Sequence, residues 1–150
     1  MCLERQTKRI GLAPIAVAFA FLVSACGATS ALFAGISRTT PNAVQIVIFR
    51  PDMFFQGGIP YQANINGLKA AVLKNGGFVV IDANPGPIQI EICAASIVQA
   101  LSRNPTLQLK AAANDRIFVR ATPVRGNTAV LNVLPESEAI LELRFLRESK

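Results

Sequence analysis

The chain has 150 residues, 51% of them apolar, which suits one domain with a sizeable core. It contains no histidine, so Ser-His-Asp and Cys-His catalytic sites and most zinc sites are excluded, and we expect no enzyme activity, metal or cofactor. Its net charge of +6 is too modest for a nucleic-acid-binding signature.

Residues 1–25 have the layout of a secretory signal peptide. Three basic residues precede the apolar run IGLAPIAVAFAFLVSA, which ends in small residues. The run is 16 residues long, and a membrane-spanning helix usually needs about 20 apolar residues. The sequence therefore predicts a cleaved signal helix over 1–25 and disfavours a permanent transmembrane anchor.

The end of this run, Val23-Ser24-Ala25-Cys26, resembles the lipobox of bacterial lipoproteins. The resemblance implies that Cys26 carries a thioether-linked diacylglycerol and is the acylated mature N-terminus, with palmitate as a typical chain. Several acyl chains on one residue hold a protein stably on a bilayer. Gly27 stands where an aspartate would retain such a protein in the inner membrane, so the outer membrane, facing the periplasm, is implied. The alternative is an ordinary signal peptide cut near Ala25, with Cys26 as an incidental thiol.

Removal of the leader changes the cysteine and charge counts. Cys2 leaves with it and Cys26 is acylated, so Cys93 alone stays in the domain and no intramolecular disulfide can form. Twelve basic and eight acidic residues remain, a net charge of +4. This excess favours an anionic lipid or an envelope protein as partner, beyond the membrane contact of the lipid anchor, but a solvated surface is the interpretation that we favour.

Residues 26–42 are small and polar, which predicts a flexible tether before a domain at 43–150. The domain opens with VQIVIF, apolar on both faces as in a central strand. The loop that follows carries three large apolar residues, Met53, Phe54 and Phe55, close to a pair of glycines. Because loops are normally polar, these side chains either plug one end of the core, which we favour, or are exposed for contact with a partner or bilayer.

Turn signals follow at near-regular spacing, at Asn66-Gly67, Asn75-Gly76-Gly77 and Asn84-Pro85-Gly86. β-forming residues lie between them, which predicts hairpins in series. Isoleucines at 88, 90 and 92 then alternate with polar residues, as in a half-buried strand. We expect a turn or short helix over 93–105.

The second half of the domain continues in the same style. Alternation over 107–111 predicts another strand, and 116–121 and 128–133 form a hairpin around Gly126-Asn127. The segment 135–147 changes period: acidic residues at its start, basic residues at its end and a stripe of Ala139, Leu143 and Leu146 predict a helix. A strand over 140–145 is the alternative.

Arg116, Phe118 and Arg120 share one face of a strand at period 2. The functional interpretation is an anion-binding stripe with an apolar centre, which makes these residues, together with Met53, Phe54 and Phe55, the candidate contact surface. The interpretation that we favour is a solvated face with Phe118 covered by the C-terminal helix.

Several turn and strand motifs together resemble a family of small bacterial lipoproteins known as domain of unknown function 2846, related in style to PEGA-type and transthyretin-like modules. The resemblance covers about residues 43–147 and is carried by Phe49-Arg50-Pro51, Asn66-Gly67, Leu73-Lys74-Asn75-Gly76-Gly77-Phe78, Pro85-Gly86, Asp115 to Arg120, and Glu136 with Glu138. It implies a mainly β fold, an antiparallel sandwich of about seven strands with one C-terminal helix.

The expected function is that of an outer-envelope lipoprotein, anchored through Cys26, which acts as a non-catalytic binding or structural module. A periplasmic carrier for an apolar ligand held between the sheets is the alternative. A cavity lined by apolar side chains would distinguish the carrier from a packed core.

Overall fold

The computed structural model describes residues 32–37, 40–94, 104–126 and 128–150. Within them the chain forms nine strands and one helix. Their bounds are β1 Val44–Arg50, β2 Tyr61–Ile65, β3 Leu68–Leu73, β4 Gly77–Ala83, β5 Gly86–Ala94, β6 Thr106–Ala111, β7 Arg116–Val124, β8 Thr128–Leu134, α1 Glu136–Leu143 and β9 Arg147–Glu148.

The strands form two sheets. One has five strands in the order β8-β7-β1-β4-β9, and the other has four in the order β3-β2-β5-β6. Neighbours are antiparallel except for the pairs β1–β7 and β4–β9. The predicted mainly β fold with a C-terminal helix is confirmed. The described strands outnumber the predicted seven because elements such as the two-residue β9 are too short to leave a periodic pattern.

β1 lies at the centre of the five-stranded sheet, and all seven of its residues are buried. Val44, Ile46 and Ile48 face the four-stranded sheet and join the core between the sheets. Val47 and Phe49 face the other way, into a second core beneath α1. The prediction of a central strand is confirmed, and the continuous apolar run reflects burial on both faces.

Helix α1 covers the outer face of the five-stranded sheet. Pro135 precedes its first residue, and Glu136 and Glu138 lie in the first turn, where negative charge favours a helix. Ala139 and Leu143 of the predicted stripe are buried against the sheet. The helix prediction is therefore confirmed over 136–143, and the alternative of a strand over 140–145 is wrong.

Residues 32–37 lie on the same outer face. Leu32 forms a bridge with Arg147, and the Phe33 amide donates to the Leu146 carbonyl at 3.0 Å. The rings of Phe33 and Phe78 meet edge to face, with 5.5 Å between their centroids. The few apolar side chains of this part of the predicted tether over 26–42 pack on the second core, so 32–37 lies against the domain.

The expected hairpins in series are found only in part. β2 and β3 pair around Asn66 and Gly67, whose φ angles are 51° and 79°, and β7 pairs with β8. However, the chain crosses from one sheet to the other between β3 and β4, and crosses back between β4 and β5. Turn residues reverse the chain but do not determine which sheet receives the next strand. The turn or short helix expected over 93–105 falls largely on residues 95–103, outside the described residues.

The two ends of the sandwich carry different turns. β1 and β7 run in the same direction, and Gly77, the first residue of β4, lies opposite Arg50, the last of β1. Arg147 pairs with Gly77. The loop 51–60, the β3–β4 and β7–β8 turns and the chain after α1 therefore meet at one end. We call it the aromatic end because its exposed side chains include Phe54, Phe55 and Phe145.

Candidate contact surface at the aromatic end

The loop 51–60 is held by a buried arginine. Arg50 ends β1 and is fully buried. Its Nη1 donates to the Ile59 carbonyl and its Nη2 to the Gln56 carbonyl, each at 2.6 Å. The guanidinium also lies 4.2 Å from the centroid of the Tyr61 ring, within the range of a cation–π interaction. One cation thus fixes two carbonyls of the loop and the first residue of the next strand.

Burial also changes the acid–base properties of this cluster. Desolvation lowers the pKa of Arg50, while the nearby Tyr61 and Asp52 act in the opposite direction. Burial raises the pKa of Tyr61, against the effect of Arg50. Both groups keep their ordinary protonation at neutral pH, since arginine and tyrosine titrate far above it. The cluster is therefore a fixed positive charge beside a neutral phenol.

Gln56 links the loop to the neighbouring hairpin. It adopts a left-handed backbone conformation with φ 59°. Its Nε2 donates to the Val124 carbonyl at 2.6 Å, and its Oε1 accepts from the Tyr61 hydroxyl at 2.7 Å. A non-glycine residue persists in this conformation only where its surroundings stabilise it. The loop is thus tied to the end of β7 as well as to β1.

The β3–β4 turn braces the start of the loop. The Asn75 side chain donates to Asp52 Oδ1 at 2.5 Å and accepts from the Met53 amide at 3.1 Å. Asp52 is therefore a turn residue.

The apolar side chains carried by this loop point outward. Phe54 is fully exposed, Phe55 is 48% exposed, and Met53 is partly buried. The favoured prediction that these residues plug the core is wrong for the two phenylalanines. The core needs no plug, because Arg50 and Tyr61 fill this end of it. The alternative prediction, an exposed apolar loop, agrees with this arrangement.

The stripe on β7 is covered. Phe118 is 2% exposed and belongs to the core beneath α1. Arg116 pairs with Glu136 at 3.1 Å, and Arg120 pairs with Glu142 at 2.7 Å. The prediction of an anion-binding stripe with Phe118 at its centre is therefore wrong, and the alternative of a covered Phe118 agrees with the structure. Both arginines hold the helix on the sheet.

A third aromatic side chain, Phe145, is exposed near the loop, and the sequence did not single it out. It follows α1 directly and is 81% exposed, whereas Leu143 and Leu146 on either side of it are buried. The predicted apolar stripe of the helix includes both of these leucines but not Phe145. This position outside the stripe was the only signal in the sequence that could have identified Phe145 as an exposed side chain.

The outer face of the four-stranded sheet carries a polar network. The Glu91 carboxylate accepts from Asn104 Nδ2 at 2.9 Å and from Asn64 Nδ2 at 3.1 Å. These two bonds, led by that from Asn104, lower the pKa of Glu91. Asn64 also lies 3.6 Å from the sulfur of Cys93, which is buried and not in a disulfide. The network explains why polar side chains alternate with the isoleucines of β5.

Grooves formed by the described residues open at the surface. One of about 480 Å³ runs beside residues 32–37 and β4, and another of about 340 Å³ separates the same segment from α1. Between the sheets, the side chains form a continuous apolar cluster. In the described part of the chain, no three metal-ligating side chains cluster, and no helix is long and apolar enough to cross a membrane.

No protein-family model matches the chain, and no curated protein matches it. The resemblance to the domain of unknown function 2846 family stays a prediction.

Proposed function

We propose that the chain is a lipoprotein of the outer bacterial envelope, acylated at Cys26, and that its β-sandwich is a non-catalytic binding or structural module. The leader over 1–25 and the lipobox-like Val23-Ser24-Ala25-Cys26 motivate the anchor. The surface of the sandwich motivates the binding role.

One observation carries the binding role: a rigid loop presents Phe54 and Phe55 to solvent. Aromatic side chains are the commonest anchors of interfaces, and a loop ordered in advance loses little entropy on binding. Arg50, Gln56 and Asn75 supply that order through the bonds described above.

The carrier alternative has less support. A carrier needs interior room for its ligand, typically some 300 Å³ or more lined by apolar side chains. The side chains between the two sheets instead pack against one another, with Ile46, Ile48 and Tyr61 fully buried. Two grooves of comparable volume border the segment 32–37 at the surface and include charged residues such as Asp82 and Glu148. Two others, of about 630 and 390 Å³, also open at the surface, one on β5 and β6 and one beside β3 and β4.

Mass spectrometry of the protein purified from membranes tests the anchor. We expect the mature chain to begin at Cys26 and to carry acyl mass. Cys26→Ser should abolish acylation and change the membrane fractionation, whereas Cys93→Ser, in the domain, should leave both unchanged. A mature chain that begins elsewhere or lacks acyl mass would contradict the proposal.

Crosslinking in intact cells tests the binding role. A photo-crosslinking residue at Phe55 should form an adduct, and one at Leu68, exposed in the β2–β3 hairpin at the opposite end, should not. Mass spectrometry of the adduct identifies what is bound. Equal crosslinking at both positions would show that the loop has no special contact role.

A further inference from the structure

The described chain enters the domain at the aromatic end. Leu32 bridges to Arg147, and Arg147 lies beside Gly77, which is opposite Arg50. From there residues 32–37 run across the sheet towards its other end, where Arg116 Nη2 donates to the Ile36 carbonyl at 3.2 Å. Whatever precedes Leu32 therefore connects to the aromatic end.

The distance to the proposed anchor is short. Cys26 lies six residues before Leu32, and six residues span at most about 20 Å. The six steps from Val44 to Arg50 in β1 already measure about 20 Å at the usual rise per residue, and the β4–β5 turn extends beyond Val44, which pairs with the last residue of β4. If the opposite end faced the bilayer, Leu32 would be farther from it than this tether reaches. An anchor at Cys26 thus keeps the aromatic end towards the membrane.

The side chains at this end suit an interfacial position. Three phenylalanine rings, Phe54, Phe55 and Phe145, and the side chain of Leu32 are exposed there. Two of the rings come from the loop and one from the turn after α1, so they form several separate points of insertion. Amphipathic surfaces place such residues about 5–10 Å into the boundary between headgroups and acyl chains.

Basic residues surround these rings. Arg125 at the β7–β8 turn and Arg144 after α1 are exposed, and Lys74 in the β3–β4 turn is partly buried. The acidic residues at this end include Asp52, which is bonded to Asn75, and Glu148, which follows the basic Arg147 in β9. The opposite end mixes both signs through Asp82, Asp115, Glu136, Glu138, Lys69, Lys110 and Arg116. The excess of positive charge at the aromatic end complements anionic headgroups.

We propose that the aromatic end is the face with which the domain docks on an anionic lipid bilayer, inserting Phe54, Phe55 and Phe145 between headgroups. This docking rests on the proposed acylation of Cys26, and it adds an orientation: the sandwich stands on the membrane with its Asn66-Gly67 hairpin facing away.

Tryptophan fluorescence tests the orientation, because the protein has no tryptophan of its own. The acylated full-length mature protein is reconstituted in vesicles of phosphatidylethanolamine and phosphatidylglycerol with brominated acyl chains. Bromine should remove about half of the emission of Phe54→Trp and of Phe145→Trp, given the shallow depth of insertion. Leu68→Trp, exposed at the opposite end, should keep its emission. Urea unfolding verifies that each variant folds.

Paired charge changes test the headgroup contact. In the Phe54→Trp protein, Arg125→Gln combined with Arg144→Gln should restore the tryptophan emission at low salt. High salt should restore the emission of the Phe54→Trp protein that keeps both arginines. Lys69→Gln with Lys110→Gln removes the same charge from the opposite end and should leave quenching unchanged. Equal effects of the two pairs would overturn a local headgroup contact.

The outcomes separate this inference from the function it rests on. A mature protein without acyl mass that does not float with vesicles refutes the anchor. A protein that floats while all three tryptophan variants stay unquenched retains its anchor and refutes docking. Equal quenching at Phe54 and Leu68 refutes the orientation. The emission of Phe54→Trp could instead shift to the blue without quenching by bromine, while the protein sediments as a dimer in detergent. That result would show that a second copy covers the aromatic end, and it would also refute docking.

Discussion

Arg50 is the residue on which the contact surface depends most. Removing a guanidinium from water is costly, and here the cost is offset by two short bonds to carbonyls and by the Tyr61 ring rather than by a carboxylate. Its Nε has no acceptor among the described residues. Because the desolvation cost of Arg50 offsets much of what its own bonds contribute, Arg50 stabilises the protein mainly by ordering the loop 51–60.

Substitution of Arg50 should therefore loosen the loop selectively. Arg50→Lys keeps the charge but cannot fork between the Gln56 and Ile59 carbonyls, so we expect a loss of about 2 kcal/mol in the free energy of unfolding. Hydrogen exchange should accelerate at the amides of Gly57 and Ile59 more than at those of β5. The measurements are urea midpoints and amide exchange.

Arg120→Lys serves as the matched control, because Arg120 bonds the partly exposed Glu142 rather than backbone carbonyls. It should cost less than about 1 kcal/mol. Unchanged exchange in the loop of the Arg50 variant would show that Arg50 does not order it.

At the level of single residues, the sequence predicted which face of a strand a side chain lies on, but it did not predict which other elements cover that face. Period 2 correctly placed Phe118 between Arg116 and Arg120, yet it could not tell that α1 covers all three, because that depends on distant residues. Arg50 looked like the polar end of a strand, and nothing in its neighbours indicated burial. Phe54 and Phe55 were expected in the core on the general rule that apolar residues are buried, which holds only where room is left for them.

At the scale of elements, local chemistry was sufficient wherever an element depends on its own residues. The alternation of β5, the run of β1 and the β7–β8 hairpin were all predicted from periodicity and turn residues. The crossings on either side of β4 were not, since the choice of sheet depends on packing between strands far apart in sequence. β9 depends wholly on its partner β4, so it too left no pattern.

Two glycines test the turns at this scale. Gly67 has φ 79° and Gly86 has φ 124°, and neither would meet another atom within 4 Å if it carried a side chain. Valine at either position should therefore cost about 1–3 kcal/mol through backbone strain alone, without a steric clash.

Asparagine distinguishes the two turns. It tolerates the left-handed region, so Gly67→Asn should lie within about 1 kcal/mol of the wild type, whereas Gly86→Asn should be about as unstable as the valine variant because φ 124° lies beyond that region. Urea midpoints measure all four variants. Wild-type midpoints for both valine variants would mean that these turns differ from those described.

At the scale of the whole molecule, the division between tether and domain has the largest consequence. The small polar composition of 26–42 indicated a tether, and composition alone could not show that Phe33 and Ile36 find a core on the outer face of the sheet. With residues 32–37 packed on the domain, only six residues separate Leu32 from the proposed anchor at Cys26, and the proposed orientation follows from that short separation.

Phe33 provides the decisive test of that division. Its ring packs edge to face on Phe78 beside the second core, so Phe33→Ala should lower the free energy of unfolding by about 1–3 kcal/mol, less than for a fully buried ring. Leu32→Ala, one residue earlier and half exposed, should change it by less than about 0.5 kcal/mol. Urea midpoints of the mature protein decide between them. If both variants unfold at the wild-type midpoint, 32–37 does not stabilise the domain and acts as part of the tether. The sixteen residues from Gly27 to Asn42 could then span about 55 Å, and the proposed anchor would no longer select which end of the sandwich meets the bilayer.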